Sequence, residues 1–178
     1  WSEAEAFAEM ESSEKAIYKL DLIDKEVLLE DVEDLLTYEG FHKVKELWLD
    51  KNEFKDEGVE VLAQSSQIKN LMVLSLAHNK LSNYSAQALA ASPFLGHLQK
   101  LFLQSNRIGL EGLKALTESP VLANLQLLYL NLNPVGPAGA GILGGDSKIK
   151  NLRELYLQKT GLGIEGVRAL CESDNFQD

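Results

Sequence analysis

The chain has 178 residues, 45% of them hydrophobic and 25% charged, a balance typical of a soluble globular protein with a core of its own. No apolar run approaches the roughly 18 to 20 residues that a membrane span requires, so no membrane partner is expected. The net charge of -10 is uneven: residues 1 to 40 hold 13 acids and 3 bases, and the rest hold 14 of each. Such a field repels phosphate backbones, so nucleic acid is not an expected partner, and the acidic end reads either as a solvated cap or as a second docking site for a basic surface. The single cysteine, Cys171, excludes an internal disulfide and points to a reducing compartment, the cytoplasm. The chain opens on Trp1 with neither an initiator Met nor a leader, and is expected to be part of a longer polypeptide.

Residues 1–16 read as a capping helix, with Trp1, Ala4, Phe7 and Ala8 on one face and Glu3, Glu5, Glu9 and Glu11 largely on the other. Residues 17–43 keep an apolar frame (Ile17, Leu20, Leu22, Val27, Leu35, Phe41) in which Lys25 and Asp31 replace the Asn and Gly of later copies. This degenerate first repeat holds Asp21, Asp24, Glu30, Asp31, Glu33 and Asp34. They lack the spacing of alternate oxygen ligands closed by a Gly and a distal Glu, so no calcium site is expected.

From Val44 onward the chain repeats itself in five units of 27 residues: 44–70, 71–97, 98–124, 125–151 and 152–178. Leu47, Leu74, Leu101, Leu128 and Leu155 are in phase, as are Leu49, Leu76, Leu103, Leu130 and Leu157. Alternation about these leucines predicts a short strand with the leucines pointing inward. Asn52, Asn79, Asn106 and Asn133 follow where the chain leaves the strand, with Thr160 in the fifth place, and are expected to form a buried ladder. An apolar wedge comes next (Phe54, Leu81, Ile108, Val135, Leu162), then Gly58, Gly112, Gly139 and Gly166, with Ser85 once. After it the period changes to about 3.6, with Val59 and Leu62, Leu113 and Leu116, and Val167 and Leu170 on one helical face. Pro93 and Pro120, after Ser92 and Ser119, are stop signals. Ile68, Leu95, Leu122, Ile149 and Phe176 close each unit. A helix in every unit widens the outer layer and bends the stack into an α/β horseshoe, with a parallel sheet on the concave face and helices on the convex face. In the unit from Leu125, Pro134, Gly136, Pro137, Gly139, Gly141, Gly144 and Gly145 predict a short or irregular convex segment, with Pro137 suited to a first helical turn.

The frame L-x-x-L-x-L-x-x-N, with Ala88-Leu89-Ala90-Ala91-Ser92-Pro93 and Ala115-Leu116-Thr117-Glu118-Ser119-Pro120, resembles leucine-rich repeats of the ribonuclease-inhibitor class. It is most similar to the "ALAxSPxL" repeats of bacterial proteins. The resemblance implies a solenoid that holds another protein in its concave face. Animal members of the class are rich in cysteine and this chain is not, so nuclease inhibition is not carried over.

In a regular frame, function lies in the outward-facing positions. One column reads Trp48, Ser75, Phe102, Tyr129 and Tyr156, and predicts an aromatic stripe on the concave floor. The stripe reads as a protein contact surface or as stacking that stabilises the ladder. Gln104, Asn131 and Gln158 form the next column, and Arg153, Lys159, His78, Lys80 and Arg107 are expected to give a mildly basic rim. His42, His78 and His97 lack ligand spacing, and Cys171 takes a small packing position filled elsewhere by Ala63, Ala90, Thr117 and Gly144. No catalytic residue, metal site or cofactor is therefore expected. The predicted function is a non-enzymatic module that binds a protein or peptide. Two alternatives remain open. One is a substrate-targeting or regulatory segment of an enzyme such as a ubiquitin ligase or GTPase regulator, and the other is an assembly scaffold that self-associates end to end through an uncapped C-terminal repeat.

Overall fold

Three-residue strands with a leucine in the middle cannot bury that leucine alone, so each depends on the strand beside it. A computed structural model describes residues 19–53, 55–145 and 147–173, and six such strands form one parallel sheet in chain order. They are β1 (Lys19–Asp21), β2 (Glu46–Trp48), β3 (Val73–Ser75), β4 (Lys100–Phe102), β5 (Leu127–Tyr129) and β6 (Glu154–Tyr156). Their register is the sequence period itself: Leu20, Leu47, Leu74, Leu101, Leu128 and Leu155 are successive Cα partners. The helix expected over 1–16, and the apolar positions Phe54 and Phe176, lie outside the described residues.

Each strand is followed by a helix on the opposite layer: α1 (Leu29–Thr37), α2 (Lys55–Gln64), α3 (Asn83–Ala91), α4 (Leu110–Glu118), α5 (Gly139–Gly144) and α6 (Gly163–Cys171). Between the layers lie the in-phase leucines together with Ile68, Leu95, Leu122 and Ile149, all buried except Leu155 and Leu157 in the last layer. Neighbouring strands sit about 4.8 Å apart, whereas packed helices need about 8 to 10 Å. The stack therefore bends with the sheet on its inner side. The fold is a leucine-rich-repeat solenoid.

The turns after β1 to β4 are held by asparagine side chains of the next layer. The Oδ1 of Asn106 accepts from the amides of Asn79 and Leu81, and its Nδ2 donates to the carbonyls of Leu76 and Leu103. Asn52 does the same for Lys25 and Val27, donating to Leu22 and Leu49, so Lys25 is served by the ladder although it supplies no rung. A left-handed residue stands just before each of the five positions: Lys51, His78, Ser105, Leu132 and Lys159, all with φ between 57° and 60°. At Thr160 the hydroxyl reaches only its own layer, donating to Leu157. The turn before it closes differently, with Val135 bonded to Asn133 and Gly136, at φ 75°, to the Thr160 carbonyl.

The helices α3 and α4 are tied at both ends. Asp56 in the first turn of α2 accepts from the Ser82 and Ser85 amides and from both hydroxyls, so it caps α3. Asn83 in turn accepts from Gly109 and Gly112 and caps α4. Leu110 and Pro137 fill the equivalent places further on, and neither carries a side-chain acceptor. At the other end, the hydroxyls of Ser92, Ser119 and Ser173 donate to Ala63, Ala90 and Gly144 one layer back. The buried Gly112 and Gly139 under their wedges have no room for a side chain: a Cβ would lie 2.7 Å from Ile108 at the first and 2.2 Å from Val135 at the second.

The last layers are looser. The α5 helix has six residues and begins at Gly139, so Pro137 lies in the turn ahead of it rather than in its first helical turn. Val167, expected on the inward face of its helix, is 48% exposed, and Leu152, Leu155, Leu157 and Leu170 are only partly buried. No further layer stands beyond them among the described residues.

Candidate functional site

The sheet alternation that buries the leucines turns Trp48, Phe102, Tyr129 and Tyr156 to the concave side, where all four are half-buried. Their rings form an unbroken column. Tyr129 and Tyr156 stack at 3.9 Å between centroids and 8° between planes, and Phe102 and Tyr129 at 5.0 Å and 25°. Trp48 joins them by leaning across Ser75 to within 5.4 Å of Phe102. It can do so because Ser75 is short and held down: its hydroxyl donates to the Asp50 carboxylate at 2.5 Å, and the same oxygen accepts from the Ala77 amide at 2.7 Å.

The column ends differ from its middle. At the β1 end the Lys19 ammonium lies 4.9 Å over the Trp48 ring and 3.1 Å from the Asp21 carboxylate. At the β6 end the Tyr156 hydroxyl donates to Glu154 at 3.1 Å. Hydrogen bonding to Tyr129 first, and to Glu154 second, pushes the Tyr156 hydroxyl up to about 12. Neither Lys19 nor Asp50 was singled out from the sequence. The available signal was phase, since Lys19 stands 27 residues before Glu46 and Asp50 27 before Ala77.

Beside the rings, Gln104 and Asn131 are half-buried and Gln158 is exposed. The Trp48 Nε1, Gln104 Oε1 and Asn131 Oδ1 are buried with no hydrogen-bond partner among the described residues. Buried polar atoms are seldom left so; these three belong to the stripe and its neighbouring column, and a fourth, Asn79 Oδ1, belongs to the ladder. Arg153 lines a recess at the C-terminal end with Leu152, Leu155, Leu157 and Leu170, and Lys159 lines a second with Leu162 and Val167. Lys80 is paired with Glu53 at 2.5 Å, an arrangement that lowers the Glu53 carboxyl.

Other sequence features have local duties. Asp31 accepts from the Leu28 amide at the start of α1, and Asp21 pairs with Lys19. Among the described residues no three His, Cys, Asp or Glu side chains are grouped to hold a metal ion. Cys171 is exposed rather than packed, because it lies on the last described helix. No helix among those residues is long and apolar enough to cross a membrane.

This architecture agrees with the comparisons. A family profile described as "Leucine Rich repeat" matches residues 42–63, 97–116 and 148–171, so the chain carries leucine-rich repeats. No curated protein sequence matches the chain. Among solved structures it is similar to a tropomodulin C-terminal domain of Caenorhabditis elegans, at 17% identity and a TM-score of 0.59, over 80% of this chain and 90% of that one. It is also similar to the leiomodin-1 actin-binding site 2, at 18% identity and a TM-score of 0.53, over 80% and 85%. An internalin of Listeria monocytogenes aligns at 23% identity and a TM-score of 0.50 over 76% of this chain, which spans 35% of the internalin chain. At these identities the likeness is one of fold.

Proposed function

We propose that the chain is a non-catalytic recognition module that binds a protein or an extended peptide along its concave aromatic stripe. The observation that carries this reading is the unbroken column of Trp48, Phe102, Tyr129 and Tyr156, half-exposed and bordered by the unpaired polar atoms of Gln104 and Asn131. Large rings already fixed by stacking lose little freedom on binding, and aromatic residues dominate interface hot spots. Stacking alone explains the order of the rings but not the buried amide atoms beside them. The strict 27-residue register supports placing the units 44–70 to 152–178 in the ribonuclease-inhibitor-like class, nearest in pattern to the "ALAxSPxL" repeats. The unpaired Cys171 supports a reducing, cytoplasmic setting.

The test is capture by the intact chain against a chain carrying Phe102→Ala, Tyr129→Ala and Tyr156→Ala. Capture is abolished while far-UV circular dichroism is unchanged; capture that survives sinks the concave site. Actin is the first named protein to assay, since the leiomodin-1 actin-binding site 2 shares this fold.

A second reading, end-to-end self-association, is supported by the partly buried Leu152, Leu155, Leu157 and Leu170 and the exposed Val167 at the C-terminal end. Sedimentation showing monomers at every concentration removes it.

A further inference from the structure

The concave wall dips in its middle. Val73 and Ser75 of β3, and Ala77 just beyond them, are short side chains and all are buried. Their register partners stand higher, with Glu46 and Trp48 on β2 and Lys100 and Phe102 on β4. One ring is therefore missing from the aromatic column, and Trp48 fills the place by leaning. The fit is poor: Trp48 meets Phe102 at 5.4 Å and 32°, against 3.9 Å and 8° for Tyr129 with Tyr156. In this position the Trp48 Nε1 is buried without an acceptor, and across the dip the Gln104 Oε1 is buried without a donor. Upright over its own strand, Trp48 would stand two strand separations from Phe102, about 9.6 Å. Two steps of about 4.8 Å lie within the range of paired rings, so that distance holds one further ring.

We propose that the dip over Ser75 seats one aromatic side chain of the protein partner, a tyrosine by preference over a phenylalanine, between Trp48 and Phe102 as Trp48 swings back over β2. This rests on the concave-face reading above and names the side chain the partner brings to it. The incoming ring replaces one tilted contact with two stacked ones. Its hydroxyl is donor and acceptor in one atom, so it can accept from the Trp48 Nε1 and donate to the Gln104 Oε1, pairing two buried atoms that the free chain leaves unpaired. The Ser75 hydroxyl does not compete, because it is committed to Asp50. The equivalent position is aromatic on β2, β4, β5 and β6, so a ring over β3 takes the register of its neighbours.

The intact 178-residue chain is titrated with Nα-acetyl-tyrosine amide and, in parallel, with Nα-acetyl-phenylalanine amide, while the Trp48 indole N–H and the Phe102 ring protons are followed by NMR. The indole signal missing from a Trp48→Phe chain identifies Trp48. Tyrosine amide moves the Trp48 N–H downfield and the Phe102 ring upfield, and binds ~2- to 10-fold more tightly than phenylalanine amide, the effect of one hydrogen bond. Gln104→Leu reduces that preference. Ser75→Phe fills the place with the chain's own ring and abolishes binding of both amides, with far-UV circular dichroism unchanged. Equal binding of the two amides, a Trp48 N–H that does not move, or a folded Ser75→Phe chain that still binds overturns the proposal. The unmodified chain and Gln104→Leu decide it even where Ser75→Phe does not fold. Failure here with capture still lost in the triple alanine chain leaves the concave-face reading standing. Success here with capture retained in that chain removes the reading instead.

Discussion

The layers around Asn106 and those around Thr160 are cut from one frame, yet they are held together differently. In the first, a buried amide bridges two layers with four hydrogen bonds, and Asp56 and Asn83 cap the helix of the layer that follows. In the second, a hydroxyl makes one bond inside its own layer, the capping positions hold Leu110 and Pro137, and the α5 helix shrinks to six residues. Stability in a solenoid is a sum of unit and interface contributions, so the interface bonds decide where it is rigid. The aromatic stripe crosses the boundary, with Trp48 and Phe102 on the rigid side and Tyr156 on the loose one.

The largest effect that would break this contrast is at the ladder. Asn106→Ala strips partners from the buried Asn79, Leu81, Leu76 and Leu103 groups and should cost about 3 to 5 kcal/mol. Thr160→Ala removes a single bond and should cost about 1 kcal/mol. Urea unfolding of the two variants side by side checks the ratio, and equal losses would erase the distinction between the regions.

Next come two glycines in one helix. Gly139→Ala forces a Cβ to 2.2 Å from Val135 and should destabilise by about 2 kcal/mol. Gly141→Ala meets nothing within 4 Å on an exposed face and should stabilise by about 0.5 to 1 kcal/mol. Opposite signs in thermal unfolding show that α5 is weak through its composition and still packed at its buried face.

A smaller effect tests helix capping. Asp56→Ala should cost about 1 kcal/mol by removing the acceptor at the start of α3. Partial burial pushes the Asp56 carboxyl up, but the hydrogen bonds from Ser82 and Ser85 outweigh it and hold it below its ordinary value of 3.8. A carboxyl with a depressed folded-state pKa contributes stability that is present above 3.8 and is lost as the pH falls through the lower folded value. The two chains should therefore differ at neutral pH and converge in acid, as followed by urea titrations at stepped pH.

Much of this was legible in the sequence. The 27-residue register fixes which leucines are buried, and each strand pair follows it. A period places backbones, however, and does not choose rotamers. The sequence column is interrupted at Ser75, and nothing in the spacing tells that Asp50 ties Ser75 down or that Trp48 leans over it. Ser92 and Ser119 read as helix stops, although their hydroxyls link layers, because a side chain's partner one layer back is far off in sequence. Nothing in the spacing tells that Arg153 and Lys159 line two recesses at the end of the described stack.

Hydroxyl-radical footprinting of the chain with and without its captured protein tests the central claim most directly, because Tyr84, 75% exposed on the convex helix α3, is an internal control. Protection of Trp48, Phe102, Tyr129 and Tyr156 with Tyr84 unchanged is the result predicted. Protection of Tyr84 with the four concave rings unchanged would contradict the account.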